Sequence, residues 1–450
     1  MNFVSNIRKA FNWIHNNSTN QYLYMSSSRH VPYHEVTGYL IPTLRQWGFH
    51  DKAKSMADYL ASIQKKDGSW EMEGVGGSDK NSYVFDTAQI VDGLSEYGVK
   101  YQDNIDKATT WILSKIDSNG KFSDSYVHPE IKWHVWLRTL YCLNKVGVDV
   151  SKYIELYRNN NELYKFDVLS HFYGYGFEAA ARLGIECKPF IDEIVHNGGY
   201  IPEKKGFSTY CLTGLSQTSL ALFLTNNFDL GMKNLEFVTK FQNSSGGFYG
   251  SNNGKYFPKE EISWAVKFYL DAFYEAQVSW FKNHIHIFFD SFDEEPQKDT
   301  RFAFFQSNIN ENEKVLDLGC GKGRYINNLK CDRYACDIAD ASKYINAPFK
   351  IGSCYNLPYN DGEFDTIIAC ECLEHSIFID NAIAECLRVL KKGGKLLIVD
   401  KDKSVNFTGL HFGEEWLDFK YLANKYQAQT NMIVVKNAVY PFFTAKIIKG

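Results

Sequence analysis

Val315-Leu316-Asp317-Leu318-Gly319-Cys320-Gly321-Lys322-Gly323 decides the reading of the last third of this 450-residue chain. Residues 314–318 are a short apolar run that predicts a buried strand. The strand opens into a loop with glycine at every second position, so backbone N–H groups can come close to a ligand at the start of the next element. A glycine-rich loop alone is weak evidence. Its surroundings strengthen it, because Asp337 closes a second apolar run 20 residues after Asp317. An acid there can grip the two hydroxyls of a ribose.

Further apolar runs at 349–351, 364–370 and 395–400 predict three more strands. A helix is expected near 412–425, followed by strands at 432–438 and 444–448, giving seven in all. Strand and helical stretches alternate, which is the pattern of a parallel sheet. Asn356-Leu357-Pro358-Tyr359-Asn360-Asp361-Gly362-Glu363-Phe364-Asp365 leads into the fourth strand, which ends in Cys370-Glu371-Cys372-Leu373-Glu374-His375. Arg388-Val389-Leu390-Lys391-Lys392-Gly393-Gly394-Lys395-Leu396 turns a helix into the fifth. In this order and spacing the segments closely resemble the class I S-adenosylmethionine-dependent methyltransferases, which have a Rossmann-like α/β fold. The resemblance covers 301–450. It implies S-adenosyl-L-methionine as cofactor, with the Gly319–Gly323 loop against its methionine part, Asp317 toward the ammonium and Asp337 on the ribose. Cofactor contact is also implied for Cys320, Gly321, Ile338, Cys354 and Glu371. Ser353 stands where the family usually carries an Asp for the adenine, which implies contact through Ser353 or through backbone. A hydroxyl acceptor usually needs a base. His375, with Glu374 beside it, is the first candidate, and Asp400 and His411 are alternatives.

The first two-thirds carry a repeat. Helical stretches end in Gly48-Phe49, Gly98-Val99, Gly147-Val148, Gly184-Ile185 and Asn227-Phe228, at spacings of 50, 49, 37 and 43 residues. Gly or Asn followed by an apolar residue is a left-handed helix stop. Between the stops, turns such as Asp67-Gly68-Ser69-Trp70 and Ser245-Gly246-Gly247-Phe248 recur. Each unit therefore reads as helix, turn, helix. The second helices, at 33–47, 84–97, 130–146, 169–183, 211–226 and 261–277, are apolar on more than one face, whereas the first are charged along one side. Six such pairs predict an all-α (α/α)6 toroid over 1–285. It resembles the toroids of prenyltransferases and terpene cyclases in architecture only, since the cyclase Asp-x-Asp-Asp acid and the prenyltransferase zinc ligands have no counterpart. Glu35, Asp86, Glu130 and Glu261 fall at the starts of inner helices, where an acid is also ordinary helix capping. With Tyr39, Trp133, His134, Tyr175, Gln217 and Trp264 on the same helices, they are the candidate lining of a polar, aromatic ligand site at the toroid mouth. Acidic, Pro-bearing residues 286–300 mark a linker.

Composition narrows the function classes. A formal net charge of −4 gives no broad nucleic-acid footprint, and no apolar run is long enough for a membrane span. All 10 cysteines lie from Cys142 onward without a CxxC pair. They suggest reduced cytoplasmic thiols and neither a disulfide framework nor a metal site. The expected function is a methyltransferase that O-methylates a sugar or surface-polysaccharide precursor, with a toroid binding or processing a glycan-like ligand. Two other readings stay open: methylation of an isoprenoid or other secondary metabolite with the toroid as terpenoid pocket, and a toroid that only docks a partner protein. The sequence fixes no oligomeric state.

Overall fold

A computed structural model describes residues 3–72, 81–123, 132–284, 295–404 and 412–450. The chain divides into two compact units, Met1–Arg45 with Phe49–Ala276, and Gln46–Gly48 with Gln277–Gly450.

The first unit is all-helical. Its described α-helices are α1 (Phe3–Asn16), α2 (His34–Gln46), α3 (His50–Ser62), α4 (Val84–Leu94), α5 (Gln102–Leu113), α6 (Lys132–Lys145), α7 (Ser151–Arg158), α8 (Ser170–Leu183), α9 (Lys188–His196), α10 (Leu212–Leu224), α11 (Phe228–Thr239) and α12 (Ser263–His284), of which Gln46 and the residues of α12 from Gln277 onward belong to the second unit. The two kinds of helix foreseen in the repeat are distinct in burial. α1 buries a single stripe that includes Ile7, Phe11 and Ile14, whereas every residue of α10 from Leu212 to Phe223 is buried. An amphipathic stripe needs one neighbour; a helix buried on all sides needs several. α4, α6, α8 and α10 accordingly pack in succession. α2 meets α4 so closely that a Cβ on Gly38 would lie 2.7 Å from the Ile90 Cα. α12 in turn reaches α2, where Thr43 donates to Asp271 at 2.6 Å and Tyr39 packs on Phe268. The buried face is not wholly apolar. Arg138 of α6 bonds Asp92 of α4 at 3.1 Å and Glu178 of α8 at 3.0 Å, so the charge taken from water is neutralised from both sides.

In the second unit, α13 (Thr300–Asn308) precedes a seven-stranded sheet made of β1 (Lys314–Leu318), β2 (Asp332–Asp337), β3 (Phe349–Ile351), β4 (Phe364–Cys370), β5 (Leu390–Lys401), β6 (Gln429–Ile433) and β7 (Phe442–Ile448). The order is β3-β2-β1-β4-β5-β7-β6, with β7 antiparallel to both neighbours and the first five strands parallel. This is a Rossmann-like arrangement. β1 and β4 are near-continuous apolar runs because a central parallel strand is covered on both faces. α14 (Ile379–Val389) links β4 to β5, and α15 (Phe419–Tyr426) precedes β6.

Three expectations need correction. The sixth strand is 429–433, not 432–438, because Val434 and Val439 lie open to solvent beyond it. The helix placed near 412–425 occupies Phe419–Tyr426, where Asp418 caps it by accepting from the N–H groups of Lys420 and Tyr421. The alternation of strand and helix also fails early. The β1–β2 and β2–β3 connections contain only the single 3-10 turns Ile326–Asn328 and Ser342–Tyr344. Glycine at 319, 321 and 323 consumes the start of the first connection in loop, leaving too few residues for a stable helix. Among the described residues, no helix is long and apolar enough to cross a membrane.

Candidate active site

The parallel strands of the second unit end at one edge of the sheet, and a cavity of about 220 Å³ lies there. This is where an open α/β sheet binds ligands, beyond the carboxyl ends of its central strands. The loop after β1 forms its floor. Gly319 has φ +67, and a Cβ placed on it would lie 2.4 Å from the Cys372 Sγ. Only glycine therefore lets β1 and the end of β4 close on each other at this point.

Two acids stand behind the loop. Asp337, at the end of β2, accepts from the Gly321 N–H at 2.9 Å and the Ala339 N–H at 3.0 Å. It holds both sides of the crevice in place. Asp317 is 2% exposed, and among the described residues its Oδ2 meets no hydrogen-bond partner. Burial, and then the neighbouring Asp337 carboxylate, push the Asp317 carboxyl well above its usual range. Burial also raises Asp337, against the backbone N–H groups that favour its charge. A pair of buried acids with an unused oxygen fits a cationic, hydroxyl-bearing ligand, such as one with an ammonium and a ribose.

The opposite wall comes from the ends of β4 and β5. Glu374 is 1% exposed, and Lys401 Nζ donates to its Oε1 at 2.7 Å. The same oxygen lies 3.6 Å from His375 Nε2. Asp400, fully buried, accepts from the backbone N–H groups of Glu374 and Lys401. Burial and the proximity of Asp400 push Glu374 well above the carboxylate range, and burial lifts Asp400 to about 6. Burial opposes the charge of Lys401, but Glu374 and Glu371 together hold its ammonium above the usual range. The Phe281 ring stands edge-on to His375 at 4.9 Å, and Gln277 donates to the His375 carbonyl at 3.0 Å.

Of the residues named from sequence, Gly319, Gly321, Asp337, Ile338, Ser353, Cys354, Glu371, Glu374 and His375 line this cavity. Asp317, Cys320 and Gly323 do not line it. The cavity also takes Arg324, Tyr325, Tyr355, Lys401, Gln277 and Phe281, which sequence reasoning missed. His411 lies outside the described residues.

The residues named in the first unit fall into separate groups. Tyr39, Phe268, Tyr175 and Phe85 pack ring on ring at 5.1–5.6 Å, and His171 packs on Tyr175 at 4.7 Å. Gln217 Oε1 accepts from His171 Nδ1 at 2.8 Å, and the Gln217 Nε2 has no partner among the described residues. Glu35 and Asp86 are buried, and burial lifts the Glu35 carboxyl to about 7. Trp264 donates to the Tyr256 hydroxyl at 2.9 Å. Glu261 turns elsewhere and accepts from Trp13 Nε1 at 2.6 Å and Asn243 at 2.8 Å. Trp133 packs edge-on against Trp136 and Tyr157, and His134 bonds the Leu163 carbonyl. Glu130 lies outside the described residues.

Comparison with known proteins bears on the second unit. Residues 316–398 match the family described as a methyltransferase domain. An uncharacterized protein of Methanocaldococcus jannaschii is 32% identical over 140 residues, 29% of this chain and 61% of that protein. Norajmaline N-methyltransferase of Rauvolfia serpentina is 27% identical over 118 residues, 22% of this chain and 40% of that one. A solved structure of 1,6-didemethyltoxoflavin-N1-methyltransferase from Burkholderia thailandensis with bound S-adenosylhomocysteine is 18% identical, covers 38% of this chain and 86% of its own, and has a TM-score of 0.33. The chain thus spans less than two-thirds of the length of these two curated relatives.

Proposed function

We propose, from the premise that the second unit is an S-adenosylmethionine-dependent methyltransferase domain, that the chain O-methylates a hydroxyl of a sugar or surface-polysaccharide precursor. The polar wall at the ends of β4 and β5 carries this reading. Glu371, Glu374, His375 and Lys401 line it, with Phe281 as an apolar edge beside His375. A hydroxylated acceptor meets hydrogen-bonding partners on such a wall, whereas an isoprenoid would leave them buried and unpaired.

When bound, the cofactor supplies an electrophilic methyl group on a sulfonium. Asp317 would hold its ammonium and Asp337 its ribose, and the Gly319–Gly323 loop would let the backbone come close. Methyl transfer is then a matter of alignment and exclusion of water. His375 would take the proton of the acceptor hydroxyl, and Glu374 would stabilise the imidazolium that results. The first unit, read as an (α/α)6 toroid running to about residue 285 with a linker to about 300, binds the glycan-like ligand. The contact of α12 with α2 and the aromatic cluster around Tyr175 support that reading.

Transfer of label from methyl-tritiated S-adenosylmethionine to neutral mono- and oligosaccharides tests the proposal. Label in base-stable ether linkage on a sugar is the expected result. Label found only in an apolar isoprenoid, or only in protein, refutes it. His375→Ala is expected to slow transfer ~100-fold or more with cofactor affinity near wild type. Equal losses in both would make His375 structural.

A further inference from the structure

A run of buried charges leads into this site from a helix that touches neither the acceptor nor the proton. Asp299 caps α13 by accepting from the Arg301 N–H, and the Arg301 guanidinium grips the same carboxylate at 2.8 Å. Its Nη1 donates to Glu371. Glu371 sits just past β4 at φ +50, a backbone conformation that residues other than glycine seldom adopt. The Glu371 Oε2 lies 3.4 Å from Lys401 Nζ, Lys401 Nζ lies 2.7 Å from Glu374 Oε1, and that oxygen lies 3.6 Å from His375 Nε2. From Asp299 to Glu374 the signs alternate without a break.

Most of this run is shut away from water. The side chains of Asp299 and Arg301 are each 4% exposed, and that of Lys401 is 11%. In such surroundings charges are weakly screened, and moving one changes what its neighbour feels. Lys401 is the shared link. It faces three carboxylates, those of Glu371, Glu374 and Glu414, and cannot lean toward one without leaving another.

We propose that Arg301, Glu371 and Lys401 are positioning residues, a chain of alternating charges through which the docking of α13 fixes the Glu374 carboxylate and so sets the proton affinity of His375. The proposal rests on the reading of His375 as the base. The charged group recorded nearest His375 is Glu374 in its own turn; around Glu374 stand Asp400 and Lys401 of β5, and Lys401 also faces Glu371 at the end of β4 and Glu414. The packed turns of α12 present Gln277 and Phe281, both uncharged. If Arg301 pinned Glu371 now held by Lys401 and nothing else, its loss would unsettle α13 without reaching His375. If it acts through the chain, its loss releases Glu371, draws Lys401 away from Glu374 and leaves Glu374 free to favour the imidazolium.

Histidine-labelled full-length protein, titrated by NMR with S-adenosylhomocysteine present, reads this directly; the His375 signal is assigned by its loss in His375→Ala. Lys401→Met should raise the His375 midpoint by about one pH unit or more, the scale of removing a nearby, poorly screened charge. Arg301→Gln should raise it by a smaller amount. Lys401→Arg should restore the wild-type midpoint. Combined with Lys401→Met, Arg301→Gln should add nothing, because its effect passes through Lys401. An unmoved midpoint in Arg301→Gln, or full additivity in the double variant, overturns the chain. Should Lys401→Met fail to fold, Glu371→Gln replaces it, and Arg301→Gln must likewise be silent in that background. Coupled midpoints together with undiminished methyl transfer in His375→Ala would uphold the chain while removing His375 as the base.

Discussion

Replacing Asp317 by Asn should stabilise the ligand-free protein and weaken its hold on S-adenosylmethionine. Asp317 is buried beside Asp337, with one oxygen unpartnered among the described residues and its carboxyl held well above the ordinary range. A carboxyl raised on folding adds stability that is complete below its unfolded value, near 3.8, and lost as pH rises through the folded value. Where it is ionised, Asp317 is therefore a cost in the apo protein. Asn keeps the shape and removes the charge. The relief is about 1–3 kcal/mol, the scale of one buried unsatisfied polar group. For a unit of this size that raises Tm by about 2–4 °C per kcal/mol. The gain should shrink as pH falls and the wild-type carboxyl takes up its proton. The opposite effect is expected on binding. Losing a charge-assisted bond to an ammonium costs ~1.5–3 kcal/mol, or about 10- to 100-fold in Kd. Calorimetric melting at pH 5 and 8, with titration calorimetry against the cofactor, measures both. A lower apo Tm in Asp317→Asn, or an unchanged Kd, would refute the reasoning, since a stabilising structural role and a ligand-holding role then trade places.

Three further outcomes follow from single contacts. Gly319→Ala places a Cβ 2.4 Å from Cys372 Sγ at a φ of +67; thermal melting should show a loss of about 1–3 kcal/mol, and adding Cys372→Ala should recover only the steric part. Asp337→Ala removes the acceptor for the Gly321 and Ala339 N–H groups, so calorimetry should show cofactor binding weakened by ~1.5–3 kcal/mol together with a lower Tm. Glu35→Gln should raise the melting temperature above pH 7 and lose that advantage toward pH 5, because burial lifts Glu35 to about 7 and wild-type stability falls as pH rises through that value.

Much of the second unit was legible because its signals are local. β1 and the glycine loop are one continuous stretch, and Asp337 announces itself by closing an apolar run. Glu374 and His375 follow β4 directly. Arg301, Arg324 and Lys401 carry no such mark. Arg324 and Lys401 line the cavity from other elements and Arg301 bonds the lining residue Glu371 from α13, and a charged residue at the end of a strand or in a short helix is ordinarily solvated. Lys401 did have a faint signal, since it follows Asp400 at the end of the apolar run 396–399. Asp400 was singled out and its neighbour was not, although a lysine ending a buried strand needs partners as much as an acid does.

Glu35 and Glu261 show why the first unit resisted the same treatment. Both stand at the start of a helix in the same local pattern, and the pattern says nothing about which way the carboxylate turns. Glu261 meets Trp13, Asn243 and Ser245, donors from segments far away in sequence, and they complete its hydrogen bonding. Burial dominates the environment of Glu35 and raises its proton affinity. A repeat preserves helix packing, since each unit must bury its face against the next. It does not preserve the partners of a polar side chain at the helix start. Those partners separate a satisfied structural acid such as Glu261 from an acid such as Asp317, whose unused oxygen implies something still to be held.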